Sequence, residues 1–300
     1  MARKDIFLFF LMSAIWATNF AASKISIANV SMIDAYAARL VVAGVSLAAY
    51  AAIAGIRWKD IAMGSFWRNA VIYAFFANVI PGVIVYWSYG TLSTGTVAML
   101  FSATPLVTVF WVAIQRRKHP SITVIIAALI AILGVGLLQD RLGFQWQHAL
   151  AVLLVLGTNF AYIFGSFSLN AESSTTPRIA ALLGAADIIA AFMLLPGVHP
   201  AQFTMSNILG IAYLGIVVNS FGNIICGSLF RRAGVEVTMW SDIFIALGAA
   251  LLGVAIFHEQ WSWWKFLGAI CIVIGGSYRL FAQSFFRIFK KEPIPSEMLE

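Results

Sequence analysis

Residues 69 to 115 contain no Asp, Glu, Lys or Arg, and neither do residues 188 to 230. A helix needs about 20 apolar residues to cross the roughly 30 Å hydrocarbon core of a bilayer. Each uncharged run is therefore long enough for two crossings. Ser93-Thr94-Gly95-Thr96 supplies the turn inside the first run, and Pro196-Gly197 with Pro200 breaks the second. The runs lack the period-two alternation of membrane strands, so they read as helices. Over the whole chain 10% of residues are charged and 61% are hydrophobic, where soluble domains carry about 25% charge. A soluble domain has no interior large enough to hide that apolar surface. This excludes a soluble enzyme, a disordered chain and a nucleic-acid binder, in spite of a net charge of +7.

The same reasoning along the chain predicts ten transmembrane helices, at about 6–27, 34–56, 69–90, 95–115, 121–138, 148–169, 178–195, 206–230, 235–257 and 263–281. The fold class is thus an all-α membrane protein. With the N-terminus inside, fifteen Lys and Arg fall on the inner side and four (Lys24, Arg39, Arg141 and Lys265) on the outer side. Short loops rich in Lys and Arg stay cytoplasmic, so both termini are expected in the cytoplasm. The +7 is then a topology signal and gives no indication of an anionic partner. Met-Ala-Arg-Lys before an apolar run resembles the start of a secretory signal, but the run is long and a second span follows at once, so a first membrane helix is expected. Cys226 and Cys271 fall inside spans and read as small core residues.

A shift of 140 residues superposes Thr18-Asn19-Phe20-Ala21 on Thr158-Asn159-Phe160-Ala161, Tyr73 on Tyr213, Gly82 on Gly222, Val97 on Val237 and Met99 on Met239. A shift of 141 pairs Asn78 with Asn219 and Gly134 with Gly275. The expected organisation is two repeats of five helices, residues 1–140 and 141–282, followed by a cytoplasmic tail, 283–300. Five is odd, so the second copy must enter the membrane from the other side. Inverted repeats suit alternating access, with a substrate site near the midplane between the copies.

Several segments carry a family likeness. Ile15-Trp16-Ala17-Thr18-Asn19-Phe20 with Arg39 early in the second span is one. Leu100-Phe101-Ser102-Ala103-Thr104-Pro105-Leu106, a basic turn and a span ending Leu133-Gly134-Val135-Gly136-Leu137-Leu138 form another, and Phe257-His258-Glu259-Gln260 is the acidic turn of a second copy. With these the chain resembles the EamA family of the drug/metabolite transporter superfamily over essentially its whole length, and within it most resembles the YddG-type exporters of aromatic and other neutral amino acids. Arg116-Arg117-Lys118 departs from the Gly-Glu-Arg turn of many members. The resemblance implies two inverted halves, a bacterial inner membrane and export of a small metabolite.

Candidate substrate-binding residues follow from depth and chemistry. Asn19, Asn78, Asn159 and Asn219 fall in the middle of their spans as two repeat-related pairs, and an amide both donates and accepts. The alternative use is hydrogen bonding between helices. Tyr86, Tyr162 and Trp240 are further candidates for an apolar or aromatic wall. Asp187 and Asp242 are charges at membrane depth, hence candidates for a proton or ammonium site. Pro81 and Pro105 within spans are candidate hinges or gates. Arg39 and Lys24 are read as snorkelling to headgroups, or for Arg39 as pairing with Asp34, with attraction of a substrate carboxylate as the second use. The four histidines have no metal-ligand spacing, and there is no phosphate loop or nucleophile elbow. No catalytic residue, metal or cofactor is expected. The expected partners are a small-molecule substrate and the lipid bilayer, with no nucleic acid, and the chain is expected to act as a monomer. The competing readings are a multidrug or other metabolite exporter of the same fold and, from another class, an intramembrane lipid-modifying enzyme.

Overall fold

The computed structural model describes residues 3–104, 107, 111, 122–138, 146–170, 175–197, 203–233, 238, 241–260 and 262–275. Their regular structure is helical, with no strand among the described residues. The helices are α1 (Arg3–Ser26), α2 (Met32–Ile53), α3 (Gly64–Ser88), α4 (Thr94–Phe101), α5 (Ile122–Leu138), α6 (Trp146–Asn170), α7 (Thr176–Leu194), α8 (205–233), α9 (Ser241–Phe257) and α10 (Trp263–Gly275). Among them α1, α2, α3, α6, α7 and α8 are long and apolar enough to cross a membrane. Large apolar side chains point outward along the bundle, including Phe7 at 66% exposure and Leu251 at 72%. Such a surface is stable against lipid tails and would aggregate in water.

Local chemistry sets the ends of these helices. Ser93 accepts a hydrogen bond from the Thr96 backbone N–H (3.1 Å) and opens α4, since an N-cap oxygen satisfies one of the orphan donors of a first turn. Thr175 does the same for α7 through Arg178 N–H, with Pro177 in the first turn. Thr204 and Asn207 form a reciprocal capping box at the start of α8. The Asn207 amide also donates to the carbonyls of Ser26 (3.1 Å) and Ala28 (3.0 Å), which fastens α8 to the end of α1.

The core is built from matching contacts. α1 packs on α8 and α9, and α6 packs on α3 and α4; α2 packs on α8, and α7 on α3. α2 and α7 pack extensively against each other, as do α4 and α9. The α2–α7 crossing runs through Gly44 and Gly184, which are 140 positions apart. A Cβ on Gly44 would sit 2.9 Å from the Gly184 carbonyl, and one on Gly184 would sit 3.1 Å from the Gly44 carbonyl. Small residues let membrane helices approach this closely, where packing replaces the hydrophobic effect as the driving force.

Two helices are wound unusually. Ala74–Val79 in α3 and Tyr213–Phe221 in α8 are π-helical. The first stretch, moved by 141, falls entirely inside the second. π-Segments leave backbone groups off the ordinary ladder and gather at functional sites.

Candidate functional site

Both π-segments border one internal cavity of about 230 Å³. Its wall draws Trp16, Asn19, Phe20 and Ser23 from α1, and Tyr36 and Arg39 from α2. α3 contributes Tyr73, Ala77, Asn78, Pro81, Gly82, Val85 and Tyr86. Phe101 and Thr104 come from the α4 region, Tyr162 from α6 and Asp187 from α7. Val218, Asn219 and Asn223 come from α8, and Asp242 and Ile245 from α9.

Of the sequence candidates, Asn19, Asn78, Pro81, Tyr86, Tyr162, Asp187, Asn219 and Asp242 therefore share one chamber. Asn159 does not line it. That residue is fully buried, accepts from Thr104 Oγ1 (3.0 Å) and donates to the Leu100 carbonyl (3.1 Å), so its amide joins α6 to the α4 region. Pro105 and Trp240 lie outside the described residues.

Arg39 is corrected by its surroundings. It does not snorkel to a headgroup. Only 8% exposed, it turns into the bundle, where its guanidinium donates to Ser23 Oγ (3.1 Å), Tyr86 Oη (3.3 Å) and Asn219 Oδ1 (2.6 Å). Polar partners on α1, α3 and α8 outbid the headgroups for it, because a buried guanidinium must fill its donors. Lys24 is also held by protein: its Nζ lies 3.5 Å from Glu259 Oε1 and 4.5 Å from the centre of the Phe257 ring.

Asp187 is 3% exposed. Its Oδ1 accepts from the Asn78 amide at 2.7 Å, and its Oδ2 has no partner. Arg39 Nε and Asn19 Oδ1 are likewise buried and unpartnered. The chamber thus contains opposite charges with spare hydrogen-bonding capacity, and among the described residues neither Arg39 nor Asp187 forms an ion pair. Asp242, at the α9 wall, adds a second carboxylate that is half-buried.

Each π-segment is pinned by an aromatic side chain. Tyr36 Oη donates to the Asn78 carbonyl (2.9 Å), and Trp16 Nε1 donates to the Val218 carbonyl (3.2 Å), 140 residues further on. The two rings lie on Gly82 and Gly222, also 140 apart, where a Cβ would collide with the Tyr36 ring or with Trp16 Nε1. Ser220 Oγ, between two carbonyls, reaches Gly215 O (2.9 Å) within the second π-segment and Ala43 O (3.2 Å) on α2.

Sequence reasoning missed Ser23, Tyr36, Tyr73 and Asn223 as wall residues. Asn223 stood one helical turn after Asn219, on the same face, and that spacing was a usable signal. The others carried none. Glu259 was noted only as part of an acidic turn. Its carboxylate accepts from Thr94 N–H (2.9 Å), Thr94 Oγ1 (2.9 Å) and Gly95 N–H (3.3 Å), so it caps α4. Trp16, Tyr86 and Tyr162 are wall aromatics, while Tyr89 packs in an adjoining apolar cluster. Trp146, Trp263 and Trp264 are exposed near helix ends, as interfacial residues are.

Apolar crossing helices with an outward apolar surface around a charged internal chamber define a multi-pass, all-helical membrane protein. Residues 3–139 match the model of the EamA-like transporter family. No curated protein matches the sequence. Seventeen chains of solved structures do match. One, described only as a crystal structure of a protein, is 15% identical with a TM-score of 0.67, over 95% of this chain and 99% of that one. At this identity the likeness is one of fold.

Proposed function

We propose that this chain is a membrane transporter that exports amino acids, aromatic or other neutral ones, or similar small metabolites, by alternating access. The observation that carries the reading is the chamber itself: a set of amides, tyrosines and opposite charges contributed by helices from both halves of the chain. Buried charges inside a membrane protein are costly and point to a substrate or ion path. The family match over residues 3–139 supports the transporter class.

In this reading the ten predicted spans, which contain α1–α10, cross the bacterial inner membrane as two inverted repeats with boundaries 1–140 and 141–282, and both termini and the tail 283–300 are cytoplasmic. The matching helix contacts, the 140-residue separation of Gly44 and Gly184, and the paired π-segments support the repeat. The charge distribution of the loops supports the orientation. α3 and α8 then bend at their π-segments, with Pro81 beside the first, to expose the chamber to each side in turn.

A multidrug exporter of the same fold fits the chamber less well. A lipophilic drug would leave Arg39 and Asp187 buried with unfilled hydrogen-bonding groups, at a cost of about 1–3 kcal/mol or more each.

Purified protein in liposomes, tested with labelled neutral amino acids, is the direct check. Uptake above protein-free vesicles is expected. No uptake of any neutral amino acid, with clear movement of a drug or sugar, would overturn the substrate. Repeating the assay with and without a pH gradient examines Asp187 and Asp242 as proton sites. A gradient-driven rate unchanged in Asp187→Asn removes that role from Asp187.

A further inference from the structure

We infer that the chamber clamps its substrate as a zwitterion, with Arg39 taking a carboxylate and Asp187 an ammonium attached to the same carbon atom. This rests on the transport reading above and deepens it by assigning which residues recognise the two charges.

A guanidinium offers five N–H groups. Three are used, on Ser23, Tyr86 and Asn219, while Nε carries none. A carboxylate ligand accepts well from such a fork, because its two oxygens can bind side by side. Asp187 presents the mirror situation, with Oδ1 on Asn78 and Oδ2 unpartnered. Both side chains are more than nine-tenths buried and both line the chamber.

A Cβ on Gly44 meets Ile188 and the Gly184 carbonyl, and a Cβ on Gly184 meets Ala48 N. This sets α2 and α7 antiparallel with residues 44–48 opposite 184–188. On that register Asp187 stands opposite Val45, six residues from Arg39, so the two levels lie about 9 Å apart along the bundle at 1.5 Å per residue. Among the described residues the two make no ion pair with each other, and their hydrogen-bond partners are uncharged. A separation of this size suits a carboxylate and an ammonium attached to one carbon, with a hydrogen bond of about 2.9 Å at each end.

The amides of Asn78 and Asn219 hold the two charged side chains in place and leave their free atoms for the ligand. An amine without the carboxylate leaves the Arg39 fork empty. An N-acylated acid leaves Asp187 buried without a cation. A site built around a polar group rejects the analogue lacking it strongly, and about 100-fold or more is expected here.

The test uses the full chain, with L-phenylalanine, phenethylamine and N-acetyl-L-phenylalanine as probes. Binding is read from tryptophan fluorescence, since Trp16 lines the chamber, and transport from competition in liposomes. Phenylalanine is expected to bind about 100-fold more tightly than either analogue. In Arg39→Gln the preference over phenethylamine should collapse to less than about tenfold, and in Asp187→Asn the preference over N-acetylphenylalanine should collapse likewise. Arg39→Lys, checked by size exclusion, covers the case in which Arg39→Gln does not fold, and should retain part of the preference for the carboxylate.

Analogues that bind within tenfold of phenylalanine, or preferences unmoved in folded variants, would overturn the clamp while transport of amino acids left the functional reading intact. Selective binding without transport would keep the clamp and overturn the transporter. Neither binding nor transport of any zwitterion would overturn both.

Discussion

Asn78 and Asn219 occupy equivalent places in the two halves and hold opposite charges. Asn78, in the first π-segment, donates its amide N–H to Asp187 on α7; Asn219, in the second, offers its amide oxygen to Arg39 on α2. The partners sit on corresponding helices but at non-corresponding positions: a shift of 140 takes Asp187 to Leu47 and Arg39 to Ile179. An amide can serve either sign because it carries both a donor and an acceptor group. The contrast shows how a nearly symmetric frame makes an asymmetric site. The π-segments, the glycines and the amides repeat, while the charges that give the chamber its polarity do not.

The largest expected effect breaks the two amide contacts separately. Asp187 has Asn78 as its hydrogen-bond partner, whereas Arg39 keeps Ser23 and Tyr86 when Asn219 is lost. Asn78→Leu should cost about 3 kcal/mol and Asn219→Leu about half of that, since a hydrogen bond to a charge is worth about 1.5–3 kcal/mol and the stranded carboxylate has no alternative. Thermal unfolding in detergent measures both. Equal losses would mean that Asp187 finds a second partner when Asn78 is removed.

The next effect lies at the helix crossing on which the frame depends. Gly44→Ala places a methyl 2.7 Å from Ile188 and 2.9 Å from the Gly184 carbonyl, while Gly184→Ala meets nothing closer than 3.1 Å. Overpacking costs about 1–3 kcal/mol, so about 2 kcal/mol for Gly44→Ala and about 1 for Gly184→Ala are expected, again by unfolding. The reverse order would move the tightest point of the crossing toward α7.

How much of this was legible in the sequence depended on the kind of signal. Uncharged runs reveal helices because charge in hydrocarbon is expensive wherever it sits. α1, α2, α3, α6, α7 and α8 accordingly start and stop within a few residues of the predicted spans. Depth along a span also selected Asn78, Asn219, Asp187 and Asp242, which share the chamber. Depth could not choose a face. Arg39 stands only a few residues from the predicted start of its span, and from that alone an outward, headgroup-seeking side chain was the simpler expectation. Its three partners come from three other helices, a fact of tertiary packing. Asn159 failed in the opposite sense: mid-membrane like the others, it faces Thr104 and the Leu100 carbonyl. The π-segments were invisible because neither has a composition of its own. Their freed carbonyls are satisfied by Tyr36 and Trp16 from distant positions.

Those two aromatic pins give the finest comparison of the halves. Tyr36→Phe removes one hydrogen bond and keeps the ring on Gly82. Interhelical hydrogen bonds in membrane proteins average about 0.6 kcal/mol, so a loss of that size is expected. Trp16→Phe removes the corresponding bond and also shrinks the ring. Combination with the glycines separates bond from ring. A Cβ at Gly222 collides with Trp16 Nε1, an atom Phe lacks, whereas a Cβ at Gly82 collides with ring carbons of Tyr36 that Phe retains. Gly222→Ala should therefore be tolerated better in Trp16→Phe than in the parent, with a favourable coupling of about 1 kcal/mol, within the range for residues in contact. Gly82→Ala should show no such rescue in Tyr36→Phe. Double-mutant cycles of unfolding would read both couplings. Equal rescue in the two halves would mean that the rings move freely off their glycines, so that the pins are the hydrogen bonds alone. Rescue confined to Gly222 would leave the first π-segment held by ring packing as well as by its hydrogen bond, and make α3 the stiffer of the two helices.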